Sequence, residues 1–323
     1  MFEKFDAKID RSLQRDEIDK NSEIILKNST KKRIQENDFR DIFGAEDVAA
    51  DKKLVARLEE KFHEQIEHLS PQERENIKYG EKLGRVLEII IAEEGEKYGW
   101  FGPDALTQPT SRYDDTVNNA DLIVEFGSSF PPTKNEAPRR VALSVDASRN
   151  QDFTVISQKF QRNIDKLTHQ NGKTTPEIKY YESPLNPNIK GPLEIVIPLV
   201  VGLEEKNANE LINLVAPLKT LPQTAIKYPA LRENAELKIK QLEERLADHP
   251  AQAVFYRQMR TQLNYYLKIL NRQPNEQSKD YIREIQSILI ELTNIRQQKK
   301  PVTIGNYSKD KVLTAIEGLT FTA

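Results

Sequence analysis

Tyr113 to Phe126 reads YDDTVNNADLIVEF: two adjacent aspartates, a polar stretch without glycine, and a third aspartate opening an apolar run. The last part, Ala120 to Phe126, alternates as a strand does. Asp121, Ile123 and Glu125 share one face and Leu122, Val124 and Phe126 the other. Arg140 to Ala147 is a second strand, with Val141, Leu143, Val145 and Ala147 on one side and Ala142, Ser144, Asp146 and Ser148 on the other. If the two pair as a hairpin joined by GSSFPPTKNEAPR, Asp121 and Asp146 approach one point of a sheet. An acid inside a run this apolar costs several kcal/mol unless it is paired or bound to a cation. Asp114 and Asp115 read more simply as turn formers, since their side chains bond nearby backbone.

On either side of the hairpin the pattern is mostly helical. Ser70-Pro71 with Glu73 is a helix start. Glu81 to Tyr98 is amphipathic, with Leu83, Val86, Leu87, Ile90 and Ile91 on one face and Gly99 as a stop. Glu88 lies on the flank of that face and Glu94 closer to its centre. Trp100 and Phe101, just after the helix, read as core anchors. Phe153 to His169 is a helix, strands follow near Glu177 to Glu182 and Leu193 to Gly202, and Asn207 to Val215 is helical again. Residues 81–216 thus read as one α/β core, preceded by a helical region, 1–80, whose first thirty or so residues look weakly ordered or like a docking arm. Leu54, Leu58, Phe62 and Ile66 give that region an amphipathic helix. A proline-punctuated linker, 217–230, leads to a three-helix antiparallel bundle, 231–300. Its seam carries Tyr256, Met259, Leu263, Tyr266 and Leu270, then Tyr281, Ile285, Ile288, Leu292 and Ile295. The tail, 301–323, reads as irregular structure or an added strand. The fold class expected is α+β.

Composition narrows the function. The 323 residues carry 48 Lys and Arg against 50 Asp and Glu, a formal charge of −2, so no global positive field draws the chain to nucleic acid or anionic membranes. Any nucleic-acid contact needs a local basic rim, for which Arg139, Arg140, Arg149, Lys159, Arg162 and Lys166 are the candidates. With no cysteine and four scattered histidines, thiolate chemistry and His-paired metal sites are excluded. The first residues lack a signal-peptide core, and Ile195 to Leu203, interrupted by Pro198, is too short to span a bilayer. A cytoplasmic protein without membrane contact is expected, with the bundle as a possible surface for self-association.

A helix carrying a glutamate, an aspartate opening a strand, a second strand with an acid near its end, then a helix and a strand: over Glu81 to Val215 this resembles the PD-(D/E)XK nuclease superfamily. The resemblance implies a nuclease-like core in which Asp121 and Asp146 hold Mg²⁺ or Mn²⁺, with Glu88 as the helix glutamate that completes the site. Ser148 stands where the pattern has its lysine. Some members supply that lysine from the following helix, which points to Lys159, and Gln158 beside it resembles a polar helix residue of related nucleases. The function implied is metal-dependent hydrolysis of phosphodiester bonds in DNA or RNA. Ser148 keeps open the alternative of a nuclease fold that binds or scaffolds without catalysis, acting through its C-terminal helices.

Overall fold

The computed structural model describes residues 2–126, 139–148, 153–168, 178–272, 276–299 and 302–321. The side chains of Ser144 and of residues 146–148 lie outside that description. So does the loop expected between the two strands of the hairpin.

The chain begins with α1 (Phe2–Lys27), an extended strap over residues 28–35, a short α2 (Arg40–Phe43), α3 (Ala45–Glu67) and α4 (Pro71–Lys97). β1 (Leu106–Pro109), α5 (Arg112–Asn118), β2 (Leu122–Phe126), β3 (Arg139–Ser148), α6 (Phe153–Thr168), β4 (Ile178–Glu182), β5 (Lys190–Leu193) and β6 (Ile197–Glu204) follow. The rest is α7 (Glu205–Lys227), α8 (Arg232–Ala247), α9 (Pro250–Arg272), α10 (Glu276–Gln298) and α11 (Lys311–Phe321). The architecture is a helix-rich mixed α/β fold with two small sheets.

Ser70 starts α4 as the sequence requires. Its hydroxyl accepts from Glu73 N while the Glu73 carboxylate accepts from Ser70 N, a reciprocal cap with Pro71 in the first turn. The helix runs ten residues ahead of the expected Glu81 start. Its apolar stripe, Leu83, Val86, Leu87, Ile90 and Ile91, is fully buried.

The main sheet has the order β1-β2-β3-β6. β2 and β3 form the expected antiparallel hairpin, Ile123 opposite Ala142, and Asp121 N donates to Leu143 O at 2.9 Å. After α6 the chain returns through β6, parallel to β3 with Val145 opposite Val201. β1 was missed: four residues ending in proline give no readable alternation, and pairing to β2 makes them a strand. β4 does not join this sheet. It pairs with β5 in a second, two-stranded sheet, whose Ile178, Tyr181 and Leu193 cover Ile123 and Ala142. The other face, with Leu122, Val124, Leu143 and Val145, packs into a core shared with α1, α4, α7, α9 and α10.

That continuous core changes the expected organisation. Ile18 and Ile25 of α1 are buried in it, so of the two readings of this region the later part of α1 takes that of a docking arm. α7 passes through Pro217 and Pro222 to Lys227, where a linker was expected. Each proline removes a helix hydrogen bond, but both fall beyond the buried Leu211, Ile212, Leu214 and Val215 that anchor the helix. The three C-terminal helices exist as expected. Their seam is consumed inside the chain: Leu263, Ile285 and Ile288 are fully buried in the shared core, leaving none of them for a second copy. The tail is helical, α11 being started by Asp310, whose Oδ1 accepts from Val312 N and Leu313 N.

β6 is an edge strand, and α9 seals it. Gln262 accepts from Val200 N (2.9 Å) and donates to Val200 O (2.7 Å); Gln258 does the same for Gly202 at 3.0 and 2.9 Å. Tyr266 donates to Pro198 O, and Asp310 accepts from Glu204 N. Side chains one helical turn apart thus meet alternate outward residues of the strand, and both glutamines are fully buried.

Candidate functional site

A cleft of about 810 Å³ opens where β2, β3, α4, α5 and α6 meet. α4 supplies its floor as one helical stripe: Ile77, Gly80, Glu81, Gly84, Arg85 and Glu88. α5 contributes Arg112 and Asp115, the start of β2 Asp121, β3 Val145, and α6 the pair Val155 and Lys159 one turn apart. Phe62 from α3 and Arg33 from the strap complete the walls.

The triple-aspartate segment divides its acids among three jobs. Ser111 caps α5, so Asp114 and Asp115 sit in a helical first turn, where a plain turn was expected. Asp114 is fully buried and structural. Its carboxylate accepts from Lys179 N (2.7 Å), Tyr180 N (3.0 Å), Ser111 Oγ (2.8 Å) and Asn118 Nδ2 (2.7 Å), tying α5 to β4. Asp115 faces the cleft and pairs with the Arg33 guanidinium. Asp121 stands at the strand mouth, where its Oδ2 accepts from Val145 N at 2.7 Å.

Glu88 joins the same group. Arg33 bridges it to Asp115, reaching Glu88 Oε2 at 3.2 Å. The strap holds Arg33 there through neighbouring contacts: Ile34 N donates to Pro109 O, Gln108 Nε2 to Lys32 O, and Lys31 Nζ pairs with Glu96. Burial and the charge of Asp115 push the Glu88 carboxyl up to about 7, against the pull of Arg33. Asp121 lies well above the usual carboxylate range, first because it is buried and then because Glu88 and Asp115 repel its charge; Lys159 opposes the shift. The cleft therefore gathers Glu81, Glu88, Asp115 and Asp121 beside four cations, with the Asp121 carboxylate held deepest. Among the described residues no group of three His, Cys, Asp or Glu side chains is placed to hold a metal ion.

Of the residues singled out by sequence, Glu88, Asp121 and Lys159 are brought together. Gln158 is not: it is exposed on α6 and does not line the cleft, because one helical position, 100° of rotation, turns it away from Lys159. The Asp146 backbone pairs with Gly202, and its side chain lies outside the described residues, as does that of Ser148. Glu94, the rival on α4, is buried against Lys219 at 2.7 Å and belongs to the packing of α7. The expected basic rim also changes. Arg140 is buried, donating to Glu125 at 3.2 Å and to Tyr181 Oη at 3.0 Å, and Arg139 turns toward Glu291. Arg162 and Lys166 bond Asn119 and the Asn118 carbonyl, and Arg149 lies outside the described residues. The cations at the cleft are Arg33, Arg85, Arg112 and Lys159. Arg85 and the two glycines were legible as i−3, i−4 and i−8 from Glu88; Arg33, more than fifty residues away, left no local signal.

Gly80 and Gly84 are informative for what they lack. Each costs a helix interior about 1 kcal/mol relative to alanine. A Cβ at either position would meet no atom within 4 Å, so no packing inside the chain requires glycine there. Set beside known protein families, curated proteins and solved structures, the chain matches none.

Proposed function

We propose that the chain is a PD-(D/E)XK-like phosphodiesterase acting on nucleic acid in the cleft between α4 and α6. One observation carries the reading: Glu88, Asp121 and Lys159, chosen from three separate segments of sequence, line a single cleft. The element order supports it, since α4 is followed by an antiparallel β1-β2-β3 ribbon, a crossover helix and a strand parallel to β3.

Carboxylate oxygens suit a hard divalent cation. Mg²⁺ keeps several waters and is held through one or two carboxylates, so Asp121 and Glu88 would hold such an ion without a three-ligand cage. When bound, the ion would polarise a phosphate oxygen and lower the pKa of a bound water. The chain's own groups do the rest. Val145 N–H fixes the Asp121 carboxylate, Lys159 faces charge developing on the phosphate, and Arg85 and Arg112 meet flanking phosphates at the mouth.

The test is cleavage of labelled single-stranded DNA, duplex DNA and RNA with Mg²⁺, Mn²⁺ or EDTA. Cleavage that needs the metal and is lost in Asp121→Ala, with unchanged circular dichroism, is the expected result. No cleavage of any substrate by folded protein refutes it. A second reading has its own support, for Ser148 occupies the lysine position and Arg33 already neutralises Glu88 and Asp115. On that reading the same cleft binds nucleic acid without cutting it.

A further inference from the structure

The cleft has features that metal-dependent hydrolysis by itself does not call for. Phe62 projects into it from α3 with 44% of its surface exposed, although it sits on the same helix as the buried Val55 and Ile66. Opposite, α4 presents bare backbone at Gly80 and Gly84 with open space in front. Arg85 and Arg112 stand at the same mouth, both exposed.

We infer that the cleft takes single-stranded nucleic acid: a base stacks on Phe62, the strand lies against α4 at Gly80 and Gly84, and Arg85 and Arg112 meet its phosphates. This rests on the proposed nuclease reading for the class of ligand, and goes beyond it in choosing single strand over duplex. Stacking makes the choice. An aromatic side chain reaches a base face only where the base is unpaired, because a duplex keeps its base faces inside the stack. And about 810 Å³ lies within the range of ligand-binding clefts, about 300–1,000 Å³, which is room for a few nucleotides. The glycines explain themselves on the same basis: a strand can approach the helix backbone only where no Cβ stands in front of it.

The experiment is fluorescence anisotropy in EDTA, where binding is read without cleavage. The probes are a fluorescein-labelled twelve-nucleotide DNA strand, its RNA counterpart, and the same sequence as a duplex. Single strands should bind at least tenfold tighter than the duplex. Phe62→Ala should weaken single-strand binding by about 5- to 150-fold, the range set by one stacked base, with the salt dependence unchanged. Phe62→Trp should keep binding. Gly84→Leu should weaken it without lowering the melting temperature, which separates a blocked groove from a damaged fold. Equal or tighter duplex binding overturns the inference, as does full affinity in Phe62→Ala. Phe62-dependent single-strand binding without cleavage under any metal supports this inference and refutes the hydrolase. Metal-dependent duplex cleavage indifferent to Phe62 does the reverse, and no binding of any probe overturns this inference.

Discussion

Replacing Gln262 by leucine tests whether the edge of the main sheet is held by side-chain amides. In the native chain Gln262 satisfies both outward groups of Val200, in a fully buried setting where water cannot replace it. Leucine of similar volume leaves one backbone N–H and one C=O orphaned. The N–H costs about 1–3 kcal/mol and the carbonyl somewhat less, offset by about 1 kcal/mol from the more apolar side chain, for a net loss of about 1–4 kcal/mol. Gln262→Glu is the control. A protonated glutamic acid has the same donor and acceptor pair, so at low pH it restores both bonds. Burial raises its folded pKa above the unfolded 4.3 or so; the variant is most stable at and below that pH and loses about 1.4 kcal/mol per unit as pH rises towards the folded value. Urea unfolding followed by far-ultraviolet circular dichroism at several pH values reads both effects as shifts of midpoint at constant slope. A leucine variant within about 0.5 kcal/mol of the parent, or a glutamate variant without pH dependence, refutes the reasoning.

Two further perturbations bear on packing. His249 is buried between Trp100 and Tyr307, its Nδ1 accepting from Ala251 N, and burial pushes its pKa down from the usual 6.5 to about 4. The unfolded chain therefore binds the proton more readily over that window, so stability is complete above pH 6.5 and falls by about 3 kcal/mol as pH drops to 4; in His249→Phe this slope disappears from a pH series of unfolding midpoints, and an unchanged slope counts against the assignment. Gly102 has φ +114 and a Cβ there would lie 2.9 Å from Ile295 Cδ1, so Gly102→Ala should cost about 2–4 kcal/mol, whereas Gly84→Ala, facing open space, should gain about 0.5–1 kcal/mol in the same assay; the reverse order would show that backbone strain and space are misread.

Much of the fold was legible because helices and strands announce themselves over a few residues. Ser70-Pro71 and Glu73 specified the start of α4, alternation from Ala120 to Phe126 gave β2, and three- and four-residue spacing gave α6, α9 and α10. The same local signals misplaced whatever depends on a partner. Pro217 and Pro222 read as a linker and lie in a helix because the turns before them are anchored in the core. The strand near Glu177 to Glu182 was legible, but not its partner, β5, with which it forms a second sheet.

For the site, the resemblance to the nuclease superfamily is what named Glu88 and Lys159; only Asp121, an acid opening an apolar strand, stands out from its own neighbours. Sequence also proposed Gln158 and Arg140, which the fold places on an exposed helix face and in a buried ion pair. What only tertiary structure decided is which charges meet. Arg33 crosses 55 positions to Glu88, Gln258 and Gln262 cross 56 and 62 to the backbone of β6, and Asp114 crosses 65 to the N–H of Lys179. A hydrogen bond between distant segments leaves no periodicity in either one. Gln258 and Gln262, each just ahead of a seam residue, Met259 and Leu263, look like solvent-facing residues until an unpaired strand edge lies against them. Hydrophobic spacing is written locally and fixes the elements; polar pairing depends on which elements become neighbours, and so belongs to the folded chain.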